Sequence, residues 1–266
     1  MAQGERVNQI VSDLRAEQDS LDDIVSGINS DAWTTPTPAE GWDVRDQIGH
    51  LTFFDERATE AAVDPKAFLA GIETAVADID GYIASHLDVA RHSDPGELLS
   101  HWRRARSALL DAFAPLDPSA RLAWYGPPMS ARSFATARLM ETWAHGQDIV
   151  DALEVNRTPT DRLRHIAFLG VRTMGWSFTV NGLDVPSEVV RVDLAAPSGS
   201  QWLWNENSAQ NIVSGDAEDF CLVVTQRRHI SDTDLEVTGS EAERWMSIAQ
   251  AFAGPPGRGR PAGMFT

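Results

Sequence analysis

The strongest constraint on the fold is a helical spacing of apolar residues that recurs through residue 182 of the 266-residue chain and then gives way to alternation. In residues 5–28, Val7, Ile10, Val11, Leu14, Leu21, Ile24, Val25 and Ile28 follow the i, i+3, i+4, i+7 pattern of one buried helix face. Residues 31–41 carry Pro36, Pro38 and Gly41 and read as a loop by turn chemistry. Asp43 then caps a helix through Val44, Ile48, Leu51 and Phe54, with Asp46 at its third position. Asp64-Pro65 and Asp94-Pro95 repeat another start signal, a capping carboxylate followed by proline in the first turn. The first opens a helix through Phe68, Leu69, Ile72, Val76, Ile79 and Ile83. The second opens one through Leu98, Trp102, Leu109 and Phe113, closed by Pro115. After a Gly-Pro-Pro loop at residues 126–128, a long helix is predicted over residues 133–153. Another follows Pro159 through Leu163, Ile166, Leu169, Val171 and Met174 to Asn181-Gly182.

Beyond Pro186 the period shortens. Val189, Val190, Val192 and Leu194 sit in a short β-branched run that breaks at Pro197-Ser198-Gly199, and Trp202 and Trp204 alternate with Gln201, Leu203 and Asn205, a period-two strand signal. Residues 211–213 read as a third strand. Helices are predicted after Asp216, through Phe220, Leu222 and Val223, and after Ser240, through Trp245, Ile248 and Phe252. The chain is therefore expected to be mainly α. A helical bundle over residues 1–182 is followed by a small α+β domain over 187–253 and a Gly/Pro-rich tail over 254–266, with the boundary near 181–187.

Composition narrows the partners. Twenty-two basic against 39 acidic residues leave a formal charge of −17, which repels nucleic acid and anionic membranes. The single cysteine, Cys221, excludes an intrachain disulfide framework and multi-cysteine zinc sites. The first residues lack an apolar leader core, and no run approaches the ~20 apolar residues of a membrane span, so a cytoplasmic protein is expected.

The sharpest chemical pattern is Glu141-Thr142-Trp143-Ala144-His145. Residues four apart leave a helix from one face, about 6 Å apart along the axis, so a carboxylate oxygen and an imidazole nitrogen can share one cation. The same spacing also describes a solvated helix pair. His50 stands inside the apolar run Ile48-Gly49-His50-Leu51, where it needs a polar partner: a backbone carbonyl, or a metal that it approaches from a facing bundle helix. Two histidines and a glutamate would leave an open fourth position, as catalytic zinc sites do. The same donors suit nickel, iron or manganese if waters complete an octahedron.

The stretch Gly41-Trp42-Asp43-Val44-Arg45-Asp46-Gln47-Ile48-Gly49-His50-Leu51 resembles the signature of the mycothiol-dependent maleylpyruvate isomerase N-terminal domain, within the wider DinB-like group of metal-binding four-helix bundles. In that family the histidine of the His-Leu pair is a metal ligand, and a later Glu-x-x-x-His supplies two more, matching Glu141 and His145. The resemblance covers roughly residues 5–180 and extends to a small α+β domain that these proteins often carry. It implies a DinB-like four-helix bundle and a divalent metal, zinc first, held by His50, Glu141 and His145. It also implies a small thiol such as mycothiol as co-substrate. Zinc favours thiolate over thiol, so the bound thiol would add to an activated double bond in isomerisation or displace a leaving group in transfer. The resemblance further points Arg227 or Arg228 toward an anionic substrate; as sequence, both equally fit surface arginines.

Other residues are read more plainly. Asp148 either orients a ligand from behind or faces solvent, and Trp42 either walls the pocket or staples the start of its helix. Cys221, beside Phe220 and Leu222, reads as a small buried residue. His86, His92 and His101 are expected at the surface, with His101 an alternative extra ligand, and His165 and His229 have no partner pattern. One alternative function is a non-catalytic protein that binds metal and a small molecule, with Trp202, Trp204 and Phe220 lining its cavity. A remote one rests on a weak resemblance of residues 226–238 and the tail to a module of wyosine-related tRNA modification enzymes, against which the acidic charge speaks.

Overall fold

The structure of the protein, a computed structural model, describes residues 4–208 and 210–265; the predicted apolar positions Val7, Val76, Ile79 and Ile83 have side chains outside that description. The chain divides into two units, Met1–Asn156 and Arg157–Thr266.

The described helices of the first unit are α1 (Gly4–Ser26), α2 (Val44–Val63), α3 (Pro65–Ala77), α4 (Ile79–His92), α5 (Pro95–Phe113) and α6 (Ala131–Leu153). Four of them, α1, α2, α5 and α6, pack as a bundle, while α3 and α4 form an excursion laid against α2. The predicted single helix after Asp64-Pro65 is two helices. Asp78 ends α3, and its side chain accepts from the Gly81 N–H to cap α4, so a local capping bond overrides a continuous apolar period. The long helix α6 starts two residues earlier than predicted, behind Ser130, whose hydroxyl accepts from the Ser133 N–H. It is buried around most of its circumference, through Phe134, Leu139, Met140, Trp143 and Ile149, as a central bundle helix must be.

Helix α2 is the best-anchored element. Asp43 and Asp46 form a reciprocal capping box, and Arg91 of α4 donates to both Asp46 oxygens at 2.8 Å. Trp33, Val44, Ile48, Leu51, Leu98, Trp102 and Ile149 share one core cluster around it. At Gly49 the backbones of α2 and α4 come close enough that an added β-carbon would sit 2.3 Å from the Ala90 Cβ. An unpredicted two-stranded ribbon, β1 (Arg121–Leu122) with β2 (Met129–Ser130), brackets the Gly-Pro-Pro loop.

The second unit begins at Arg157, ahead of the boundary expected near residues 181–187, because the helices after Asn156 pack on the C-terminal part of the chain. The predicted helix ending near residue 181 is broken at Thr173 into α7 (Leu163–Arg172) and α8 (Met174–Val180). Gly170 of α7 lies against Val224 and Phe220, and Ser177 of α8 accepts from the Gln250 N–H at 3.0 Å. A four-stranded sheet of order β4-β3-β5-β6 completes the unit. Its strands are β3 (Arg191–Ala195), β4 (Gln201–Trp204), β5 (Ile212–Asp216) and an unpredicted β6 (Glu236–Thr238). Only β3 and β5 run parallel, joined outside the hairpin that carries β4. Helix α9 (Ala217–Val224) follows β5 directly. Helix α10 (Ser240–Met246) stops short of the predicted Ile248 and Phe252. The Gly/Pro-rich tail has no regular structure but is fastened: Asp232 accepts from the N–H groups of Gly263, Met264 and Phe265, and Gln250 bonds Gly257.

Candidate metal centre

The first unit brings the three sequence-predicted ligands together. His50 projects from α2 beside the glycine that lets α4 approach, and Glu141 and His145 project one turn apart from α6. One ligand atom from each of the three half-buried residues lies within 4.8 Å of the others. His145 Nε2 is 3.3 Å from Glu141 Oε2, and the His50 and His145 rings are 4.5 Å apart at their centroids. Two ligands bound at about 2.1 Å to a tetrahedral ion lie about 3.4 Å apart, so the α6 pair already has that separation. Two imidazoles and one carboxylate form the donor set expected of a site for zinc or another borderline divalent cation.

The surroundings are more specific than the sequence suggested. His145 Nδ1 lies 2.6 Å from Gln47 Oε1; Gln47 Nε2 donates to Thr37 Oγ1 at 3.0 Å, and the Thr37 hydroxyl donates to the Trp42 carbonyl at 2.9 Å. Trp42 walls the site, with its ring 5.1 Å from His50 and stacked 6.0 Å from His145. Phe54 also packs against His50, with ring centroids 4.6 Å apart. Beyond it Trp124 and Tyr125, from the loop between β1 and β2, extend an aromatic cluster in which the two tyrosines of the chain share a 2.9 Å hydroxyl contact. Burial, then the bond from Tyr82, holds the Tyr125 hydroxyl well above the ordinary tyrosine range.

Several single-residue expectations change. His86 is 6% exposed rather than at the surface: it stacks on Phe53, and its Nε2 is 3.4 Å from His50 Nδ1. Burial pushes its pKa below the ordinary histidine value, outweighing the Tyr82 carbonyl that favours the cation. The charged residues flanking His86 suggested exposure; the face that α4 turns to α2 decides otherwise. Asp148 is buried rather than solvent-facing, and the side chain behind His145 is Gln47. Gln47 precedes His50 by three residues, so its place on the same face of α2 was readable from spacing alone.

The remaining positions fall as follows. His101 pairs with Glu56 at 2.6 Å in a solvent-exposed contact, and His92 is exposed. In the second unit, Arg227 Nη1 donates to the Thr225 carbonyl at 2.7 Å, and the Arg228 guanidinium lies 3.6 Å over the Phe265 ring. Cys221 is fully buried, with its thiol directed at the Leu163 carbonyl, and burial raises its pKa well above the ordinary thiol value. Trp202 and Phe220 are core residues, the latter packed on Trp245. No helix among the described residues is long and apolar enough to cross a membrane.

Fold and cluster together define a mainly helical protein whose four-helix bundle presents two histidines and a glutamate to one point. A family model described as the mycothiol maleylpyruvate isomerase N-terminal domain matches residues 14–150, and the chain belongs to that family. An uncharacterized protein of Mycobacterium tuberculosis strain H37Rv is 49% identical over 250 residues, which cover 94% of this chain and 97% of its own. Its counterpart in strain CDC 1551 matches to the same extent. The fold is shared with the crystal structure of a mycothiol-dependent maleylpyruvate isomerase, at a TM-score of 0.55 and 16% identity over 85% of this chain and 92% of that one. A histidine-to-alanine variant of that enzyme superposes equally well, at a TM-score of 0.55 and 15% identity. The DinB-like bundle expected from the Gly-Trp and His-Leu motif is thus the observed architecture.

Proposed function

We propose that this protein is a divalent-metal-dependent enzyme that uses a low-molecular-weight thiol, mycothiol or a close analogue, to isomerise or modify a small electrophilic substrate. One observation carries the reading: in a chain of this family, His50 from α2 meets Glu141 and His145 from α6 within coordinating reach. His50, Glu141 and His145 would hold the metal, with zinc the first expectation. When bound, such a cation favours the thiolate form of the co-substrate near neutral pH.

The chain's own residues supply the rest. Trp42 and Phe54 flank His50 with apolar surface and limit water around it, and a drier site strengthens each electrostatic contact there. Cys221, buried with a raised pKa, is unsuited to act as nucleophile, which agrees with a thiol supplied from outside the chain. The reading also assigns Arg227 and Arg228 to an anionic group of the substrate, with a raised KM as the expected effect of R227A and R228A.

Metal analysis tests the reading. The purified protein should carry close to one equivalent of divalent metal, and His50→Ala, Glu141→Ala and His145→Ala should each lose most of it while keeping their helical circular dichroism. Full occupancy in His145→Ala would refute the site. Thiol added to the cobalt-substituted protein should produce a new sulfur-to-metal absorption band. Its absence would leave a metal-binding protein without thiol chemistry.

A further inference from the structure

The site's two imidazoles must each present a lone pair to a cation, and a neutral imidazole has only one. For His145 the structure fixes which nitrogen that is, starting from a backbone carbonyl two residues removed in the hydrogen-bond chain. The Trp42 carbonyl can only accept. Thr37 therefore spends its single hydroxyl hydrogen on that carbonyl at 2.9 Å, and its oxygen can only accept from Gln47 at 3.0 Å. Gln47 must then turn its NH₂ toward Thr37 and its carbonyl oxygen toward His145, 2.6 Å from Nδ1. An amide oxygen accepts, so Nδ1 of His145 carries a proton, and in the neutral ring the lone pair is left on Nε2. Nε2 is the nitrogen that stands 3.3 Å from Glu141 Oε2.

The relay is built to hold this order. Gln47 is fully buried, so water does not replace either of its partners, and Thr37 is 9% exposed. The loop that carries Thr37 and Trp42 is closed by a bridge between Pro36 and Asp43 and by the Thr37 N–H bond to the same Trp42 carbonyl at 2.8 Å. Flipping the amide would turn its carbonyl oxygen to Thr37 and demand a second hydrogen from that hydroxyl, which already donates to Trp42. Asp148, three residues after His145 on α6, is not the residue at Nδ1.

We propose that Gln47 is a positioning residue that holds His145 in its Nδ1–H tautomer and so presents Nε2 to the cation; this rests on the metal reading above. Partners of this kind behind a metal-bound histidine are typically worth about 10–100-fold in metal affinity. The test compares the wild-type chain with Gln47→Leu, which removes the acceptor at similar volume, and Gln47→Glu, which restores one. Two quantities are read: the His145 tautomer in metal-free protein, from long-range ¹H–¹⁵N correlations of the imidazole, and zinc affinity by competition with a chromophoric chelator. We expect a single Nδ1–H tautomer in the wild type and in Gln47→Glu, a mixture in Gln47→Leu, and a loss of about 10–100-fold in zinc affinity in Gln47→Leu that Gln47→Glu largely rescues. An unchanged tautomer or unchanged zinc affinity in Gln47→Leu would overturn the proposal. If Gln47→Leu does not fold, Thr37→Val decides instead, since it frees the amide to flip and must also mix the tautomers. A wild-type chain that binds no zinc would sink the metal reading, whereas the tautomer comparison judges Gln47 without any metal.

Discussion

Replacing Arg138 by methionine should strongly destabilise the bundle, because it breaks a buried ion pair from one side. Arg138 of α6 is 3% exposed and Asp55 of α2 is 0% exposed; Nε and Nη2 both donate to Asp55 Oδ1, at 3.0 and 2.9 Å. Breaking such a pair from one side leaves an uncompensated buried carboxylate and typically costs about 3–5 kcal/mol. For a cooperative unit the size of Met1–Asn156, each kcal/mol lowers Tm by about 2–4 °C, so the expected drop is roughly 6–20 °C. Urea unfolding followed by circular dichroism measures the free energy, and a thermal scan the Tm. The double variant Asp55→Leu/Arg138→Met should recover most of the loss, because two apolar side chains need no counter-charge. Acid supplies a second check. Burial already raises the Asp55 carboxyl above its ordinary value against the pull of Arg138, and without Arg138 it rises further. A folded-state pKa above the unfolded one means that the penalty is absent below about pH 3.9 and grows as pH climbs toward the folded pKa. The deficit of Arg138→Met should therefore shrink on acidification from pH 7. A loss under about 1 kcal/mol, or a double variant no better than the single one, would refute the reasoning.

Two further outcomes are expected. Gly49→Ala places a β-carbon 2.3 Å from Ala90 Cβ, an overpacking that should cost about 1–3 kcal/mol in urea unfolding of the metal-free protein. It should also move α4, and His86 with it, away from His50; a variant as stable as the wild type would contradict the close approach of the two helices. Asp232→Asn should release the tail, read as faster tryptic cleavage after Arg258. The tail N–H groups hold the Asp232 carboxyl below its ordinary value, so in the wild-type chain the clasp persists above about pH 3.9 and is lost as pH falls through the lower folded pKa. Equal cleavage rates in the two proteins would count against the clasp.

The features legible in the sequence are those carried by local chemistry. Asp43, Asp64 and Asp94 announce helix starts because a capping carboxylate acts on the next turn, and all three do so in the structure. Glu141 and His145 are legible as a pair because four residues make about one turn, and His50 because a histidine in an apolar run needs a partner. Harder to read were features that depend on which surface a helix meets. The apolar period of α7 and α8 is the same kind that builds the bundle, so nothing in it shows that their neighbours are α9 and α10. His86 has charged residues beside it in sequence and His50 beside it in space. The ribbon strands and β6 span two or three residues, too few for alternation to register.

Helix α2 carries Gln47, His50 and Asp55 within three turns, and all three reach toward α6. The helix is thus a single rigid bar bolted at both ends of the site, by a charge pair below and a hydrogen-bonded ring above. A slip of one bar against the other would therefore disturb the charge pair and the centre together. An ion seated there would in turn act as a rivet, and heat resistance should climb with its concentration by simple mass action.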